Sequence, residues 1–345
     1  MAAHAIKERR LRLGFIEPTV LRRLDADNSS GKRQTQTPAS DQGAVRMNHE
    51  IMHPVYLPFT EEQVRKHFAP INNDRGDIER HLTHYKKSIE RNASHDPSDH
   101  KADRHNRQIE KDERFWVMSA LMALHQRSDA SAAFSALLER AGLAPVGNHP
   151  TWSDALAGPL SLFFEVSLNA PKSYRTWLKE VGGRTPIPYA QEAARRSRQQ
   201  EGATHVDAVL VAPETGVGVL FEAKVLSDCS STVTYDVMRN QIARNVDVML
   251  DRQERLPEPL NQRDPALSAF VLLTPEIFRD APHTRLYGWL MEAYRGSPET
   301  LGRDLRHRGD EDWPTVSKRL GWATFEDCRR IDLDACRWLP VDGGG

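Results

Sequence analysis

The sequence predicts an α/β fold with a mixed central sheet, and three observations carry that prediction. His205–Pro213 (HVDAVLVAP) and Gly218–Lys224 (GVLFEAK) are short, apolar and β-branched, as buried strands are. Only the turn Pro213-Glu214-Thr215-Gly216 separates them, so they should pair as an antiparallel hairpin. A third apolar run, Ser268–Thr274 (SAFVLLT), lies between segments of helical periodicity. The order helix, hairpin, helix, strand, helix describes a sheet flanked by helices.

The remaining elements follow in chain order. Ala26–Val45 (ADNSSGKRQTQTPASDQGAV) is polar and without apolar periodicity, so residues 1–50 are expected to be largely disordered or weakly ordered. Thr60, with Gln63 three residues on, reads as a helix N-cap. Asp112–His125 carries Phe115, Met118, Leu121, Met122 and Leu124 at helical spacing. Ser131–Ala141 continues with Phe134, Leu137 and Leu138 before Gly142 ends it, which makes 51–150 a helical accessory region. Pro159–Gly182 reads as a helix-rich apolar segment opening a core over 151–300. Thr234–Gln253 places Met238, Ile242 and Met249 on one helical face, and His283–Tyr294 is a last amphipathic helix. Residues 301–345, with Trp313, Trp322 and Trp338, form a C-terminal extension that would cap the core or mediate assembly.

Charge and composition exclude several classes of function. The 345 residues hold 47 Lys and Arg against 48 Asp and Glu, so the chain is neither a basic nucleic-acid coat nor an acidic tail. Three cysteines without C-x-x-C spacing read as reduced thiols, and no apolar run is long enough to span a membrane. Met1–Phe15 is Arg-rich without the apolar segment of a secretory signal; a mitochondrial presequence and a plain solvated helix both fit it, and the cytoplasm is the default. Five histidines between His81 and His105 are irregularly spaced in polar surroundings, so no metal is placed on them.

Chemistry concentrates on the hairpin. Asp207 lies on its first strand and Glu222 and Lys224 on its second, where residues two apart share a face. Ionisable groups in apolar strands are costly unless they are paired or bind a metal. Asp207, Glu222 and the Ala223 carbonyl would form an oxygen-rich site suited to Mg²⁺, with Mn²⁺ as the alternative. Such a metal would polarise a phosphate oxygen and acidify a water, while Lys224 stabilised the charge building on phosphorus. A surface ion pair between Glu222 and Lys224, beside an unrelated Asp207, is the bland alternative.

The pattern Val206-Asp207 followed by Glu222-Ala223-Lys224 resembles the PD-(D/E)XK nuclease superfamily, over about residues 155–300. The resemblance implies a restriction-endonuclease-like core, metal binding by Asp207 and Glu222, and catalytic assistance by Lys224. It also implies an acidic ligand from the preceding helix, for which Glu165 in LSLFFEVSL is the matching position. Val206 stands where the eponymous proline would be.

The following segment, TYDVMRNQIARNVDVML, supplies Tyr235, Arg239, Asn240, Gln241 and Arg244 as stacking, phosphate-binding and amide groups. An amphipathic helix with a solvated Arg/Asn face would read the same way. Arg195, Arg196 and Arg198 precede the Asp207 strand and would contact a phosphate backbone, or form a solvated cluster. The expected activity is metal-dependent hydrolysis of DNA phosphodiester bonds, endonucleolytic, with RNA left open, in a restriction or phage-defence setting by analogy with the fold. A noncatalytic nucleic-acid-binding or scaffold protein of the same fold is the rival. Because the core is nearly neutral, a homodimer, a partner subunit or the N-terminal region would have to add DNA contacts.

Overall fold

The computed structural model describes residues 50–68, 75–93, 108–195, 201–230, 238–253 and 255–340. The disorder expected of 1–50 concerns, but for Glu50, residues outside them, as do the nucleic-acid contacts expected of Tyr235, Arg196 and Arg198. A small antiparallel ribbon, β1 (Ile51–His53) and β2 (Leu57–Thr60), leads into a helix at Glu61–Arg65. That helix starts as expected: Thr60 and Gln63 form a reciprocal capping box.

A five-stranded sheet organises the rest, in the order β3 (Ser161–Leu168), β4 (Thr204–Ala212), β5 (Val217–Ala223), β6 (Ser268–Thr274) and β7 (Leu320–Thr324). The β4–β5 hairpin is antiparallel as the sequence predicts, and Gly216 supplies the positive φ (74°) of its turn. β3 adds to β4 antiparallel, while β5–β6 and β6–β7 are parallel, so the sheet is mixed. The helix Gln241–Met249 lies in the β5-to-β6 connection that a parallel pair requires.

Three expectations are corrected. The start of Pro159–Gly182 is a strand: Leu162, Phe164, Val166 and Leu168 are buried and their neighbours are not, which is the period of an edge strand. Glu165 therefore sits on a strand, not on a helix. The helix expected over Thr234–Gln253 is shorter, because Asn240 caps it and starts it at Gln241. The C-terminal segment does not merely cap the core, since β7 extends the sheet through backbone pairing with β6.

Both faces of the sheet are covered. One packs against the helices Glu113–His125, Ala130–Arg140 and Phe325–Ile331, with Phe134 facing Phe221 of β5 at 6.5 Å between ring centres. The other packs against Gln241–Met249, Leu286–Gly296 and Pro298–Asp304 through Ile242, Val246, Met291, Tyr294 and Leu301. Residues from 49 onward form one compact unit, so helices of the expected accessory region share a core with β5. Covering on both faces explains why β4 to β7 read as near-continuous apolar runs. No helix among the described residues is long and apolar enough to cross a membrane.

Candidate active site

The strand register brings Glu165 and Asp207 opposite one another. Phe164 pairs with Ala208 and Val166 with Val206, leaving the two acids as the intervening pair. At this point both strands exchange faces: Phe164 and Ala208 belong to one core layer, Val166 and Val206 to the other. The exchange requires unusual backbone, and Glu165 adopts φ 53°. A non-glycine residue there stores on the order of 1 kcal/mol, which surrounding structure must hold in place.

Asp207 also reaches across to β5, where the Ala223 N–H donates to its Oδ2 at 2.7 Å. Asp207 and Glu165 line a cleft of about 370 Å³ together with Lys111, Asp112, Glu113, Arg114 and Ser227. Burial, followed by the nearby Glu222 charge, pushes the Asp207 carboxyl well above the usual carboxylate range. Burial also raises Glu165, although Arg114 opposes the shift from 3.4 Å.

Glu222 and Lys224 occupy the end of β5 beside this cleft and are buried, at 1% and 4% exposure. Lys224 Nζ donates to Glu222 Oε1 at 2.6 Å and to the Ala223 carbonyl at 2.9 Å, and lies 3.5 Å from Glu113 Oε2. Burial alone would lower the Lys224 pKa; Glu222, Glu113 and Asp207 reverse that and hold the ammonium charged. Glu222 is held from the other side by Gln241 Nε2 on Oε1 and by Asn245 Nδ2 on Oε2 at 2.8 Å. Gln241 thus reaches the site as a support for Glu222, at the first turn of its helix.

The carboxylate cage expected from Glu165, Asp207 and Glu222 is not assembled in this arrangement. Among the described residues, no three His, Cys, Asp or Glu side chains stand together as a metal-holding group. Glu222 is engaged by Lys224, Gln241 and Asn245. Asp207 Oδ1 and the Glu165 carboxylate accept no hydrogen bond from a described residue, so the oxygen atoms open to a cation belong to that pair. Partly buried carboxylates that resist ionisation are groups a hard divalent cation compensates, and Mg²⁺ is commonly held by one or two carboxylates plus water and phosphate.

Several residues expected to bind nucleic acid serve the fold. Arg239 has a fully buried side chain that pairs with Glu201 and Asp247 and stacks on Tyr174, 3.2 Å from the ring centre. Arg244 donates to Glu201 at 2.7 Å from a side chain only 7% exposed. Asn240 caps its helix by accepting from Ala243 N–H, and its amide donates to Tyr294 Oη and Asp304. Arg239, Arg244 and Asn240 are corrected accordingly: each bonds to acidic or tyrosyl partners within the fold. Arg195 is exposed, bonds to Gln191 of its own helix among the described residues, and does not line the cleft.

The sequence reading missed Glu113. As the first residue of the Glu113–His125 helix, it accepts from Val225 N–H and Ser227 Oγ and faces Lys224. Lys111 and Arg114 beside it supply the cleft's cations. A signal was present: Lys111-Asp112-Glu113-Arg114 puts four charges directly before ten consecutive buried residues. No family model, curated protein or solved structure matches this chain.

Proposed function

We propose that this protein is a metal-dependent phosphodiesterase acting on nucleic acid, with DNA as the expected substrate. One observation carries the reading: a buried, charged lysine at the end of β5, clamped by Glu222 and Glu113, borders a cleft in which Asp207 and Glu165 stand together with raised pKa values. Asp207 and Glu165 would hold the cation. Glu222 and the Ala223 carbonyl, which already accept from Lys224, would add to the set through their remaining lone pairs. The cation, Mg²⁺ or Mn²⁺, supplies Lewis acidity toward phosphate oxygen and acidifies water.

The chain's own residues do the rest. Lys224 places a fixed positive charge where negative charge develops on a phosphoryl group, and Glu222, Gln241 and Asn245 prevent its relocation. Lys111 and Arg114 attract the phosphate backbone into the cleft. The left-handed backbone at Glu165 keeps its carboxylate opposite Asp207 at the cost of local strain. A restriction or phage-defence setting in the cytoplasm remains a proposal by analogy.

The rival, a nucleic-acid-binding or scaffold protein without catalysis, draws support from the complete set of bonds around Glu222. Incubating the purified protein with Mg²⁺ and supercoiled DNA, linear duplex, single-stranded DNA or RNA decides between them. Cutting of at least one substrate, abolished by chelation, supports the enzyme. Binding without any cleavage supports the rival.

A further inference from the structure

We propose that Trp289 is a stacking platform for an unpaired nucleobase beside the cleft, which makes single-stranded nucleic acid the form it takes up. The inference rests on reading the cleft as a nucleic-acid site and adds the form of polymer that enters it. Ser227 lines the cleft, and the next residue, Asp228, accepts from the backbone N–H groups of Leu286 at 2.7 Å and Tyr287 at 3.2 Å. The start of the helix Leu286–Gly296 is therefore tied to the rim of the cleft. Leu286 and Trp289, three residues apart, share a face of that helix, and Leu226 immediately precedes Ser227. All three side chains are open to solvent, with Leu286 38%, Trp289 55% and Leu226 53% exposed.

The exposed indole is held in place. Its ring stacks on the His283 imidazole, with 3.8 Å between ring centres and 15° between planes. Its Nε1–H donates to the His283 carbonyl at 3.1 Å. The His283 ring in turn bonds through Nε2 to the Glu292 carboxylate, on the same helix as Trp289. Gly288 makes the arrangement possible: a Cβ there would meet the Pro282 carbonyl oxygen at 1.9 Å, so glycine lets the Pro282–Thr284 turn lie directly on the helix. One face of the indole is thus occupied by His283, while more than half of the side chain stays exposed.

A large ring fixed with a bare face offers contact area and has little freedom left to lose on binding. A nucleobase is the occupant that suits its neighbours. Lys111 and Arg114 of the adjoining cleft supply positive charge for the phosphates that flank such a base. Arg285, at the start of the same helix, adds a guanidinium held over the Phe278 ring. Cations along the backbone path and an aromatic face for the base are the means by which single strands are bound without regard to sequence. A base inside a duplex already stacks on its neighbours, so the platform serves unpaired bases. Three exposed apolar side chains are also far short of the roughly 20–30 residues a side that a stable protein interface uses.

Fluorescence anisotropy of the full chain with a labelled oligothymidylate and a blunt-ended duplex, in Ca²⁺ to separate binding from cutting, tests the assignment. Trp289→Ala should weaken single-strand binding by about fivefold or more, the size of one lost base stack. Trp289→Phe, which keeps an aromatic face, should recover most of that loss, and duplex affinity should stay within about twofold in both variants. Circular dichroism checks that the variants fold, which the exposure of Trp289 favours. The proposal is overturned if wild type does not bind the single strand, or if Trp289→Ala binds it as wild type does or loses duplex affinity equally. It is also overturned if sedimentation shows a wild-type dimer that Trp289→Ala dissociates, since a second copy then covers the ring. Trp289-dependent binding without any cleavage in Mg²⁺ would remove the nuclease reading alone, and cleavage indifferent to Trp289 with unchanged binding would remove only the platform.

Discussion

Lys224 Nζ lies 2.6 Å from Glu222 Oε1 with both side chains buried, on strand positions two residues apart. That spacing puts them on one face, and the same ammonium reaches Glu113 on a helix more than a hundred residues earlier. The pair thus ties the sheet to the helix that forms the opposite wall of the cleft.

Removing one member should cost far more than removing both. Lys224→Met leaves Glu222 buried without its cation, and unfolding free energy should fall by about 3–5 kcal/mol. Glu222→Gln combined with Lys224→Met should recover most of that loss. Denaturant unfolding of wild type, both single variants and the double variant measures the coupling. Additive costs would mean that the contact contributes little.

Stability should depend on pH through the two raised acids. Asp207 and Glu165 bind protons more tightly in the folded chain than in the unfolded chain. Their contribution is neutral below the ordinary carboxylate pKa of about 4, and turns increasingly unfavourable as pH rises from there through the raised folded-state values. The melting temperature of Glu165→Gln relative to wild type should therefore climb between pH 4 and neutrality. A flat difference would show that burial does not control this group.

A divalent cation should remove that penalty. Mg²⁺ should raise the melting temperature of wild type, by about 2.7 kcal/mol of stability at a hundred times its dissociation constant. Glu165→Gln should show a much smaller shift at the same concentration. Equal shifts in the two proteins would place the cation elsewhere.

Arg239 should behave as a structural residue. Arg239→Met removes one buried cation from Glu201 and Asp247, leaving Arg244 on the first and His307 and Arg308 on the second, and should cost about 1.5–3 kcal/mol by denaturant unfolding. Nucleic-acid affinity of the remaining folded protein should stay within about twofold of wild type. A large affinity loss at unchanged stability would return Arg239 to the interface.

The hairpin was legible because two apolar runs and a Pro-Glu-Thr-Gly turn leave little choice of pairing, and Ser268–Thr274 was readable for the same reason. β3 was not, because Phe163 interrupts the alternation of Leu162, Phe164, Val166 and Leu168, and a short apolar run fits helix and strand alike. The clustering of Asp207, Glu222 and Lys224 followed from strand periodicity. The part played by Glu113 did not, since sequence spacing carries no information about which distant helix start meets a strand end. Arg239 and Arg244 read as phosphate-binding or solvated for a related reason: their partner Glu201 lies on a separate segment before β4.

Asp207→Asn offers the most direct test of the central claim, because the substitution keeps the shape and removes the charge. Cleavage of duplex DNA in Mg²⁺ should fall to background, while the melting temperature without metal at pH 7 rises above that of wild type. A variant that still cuts at the wild-type rate, or one that is inactive only because it has lost stability, would contradict the assignment of this cleft.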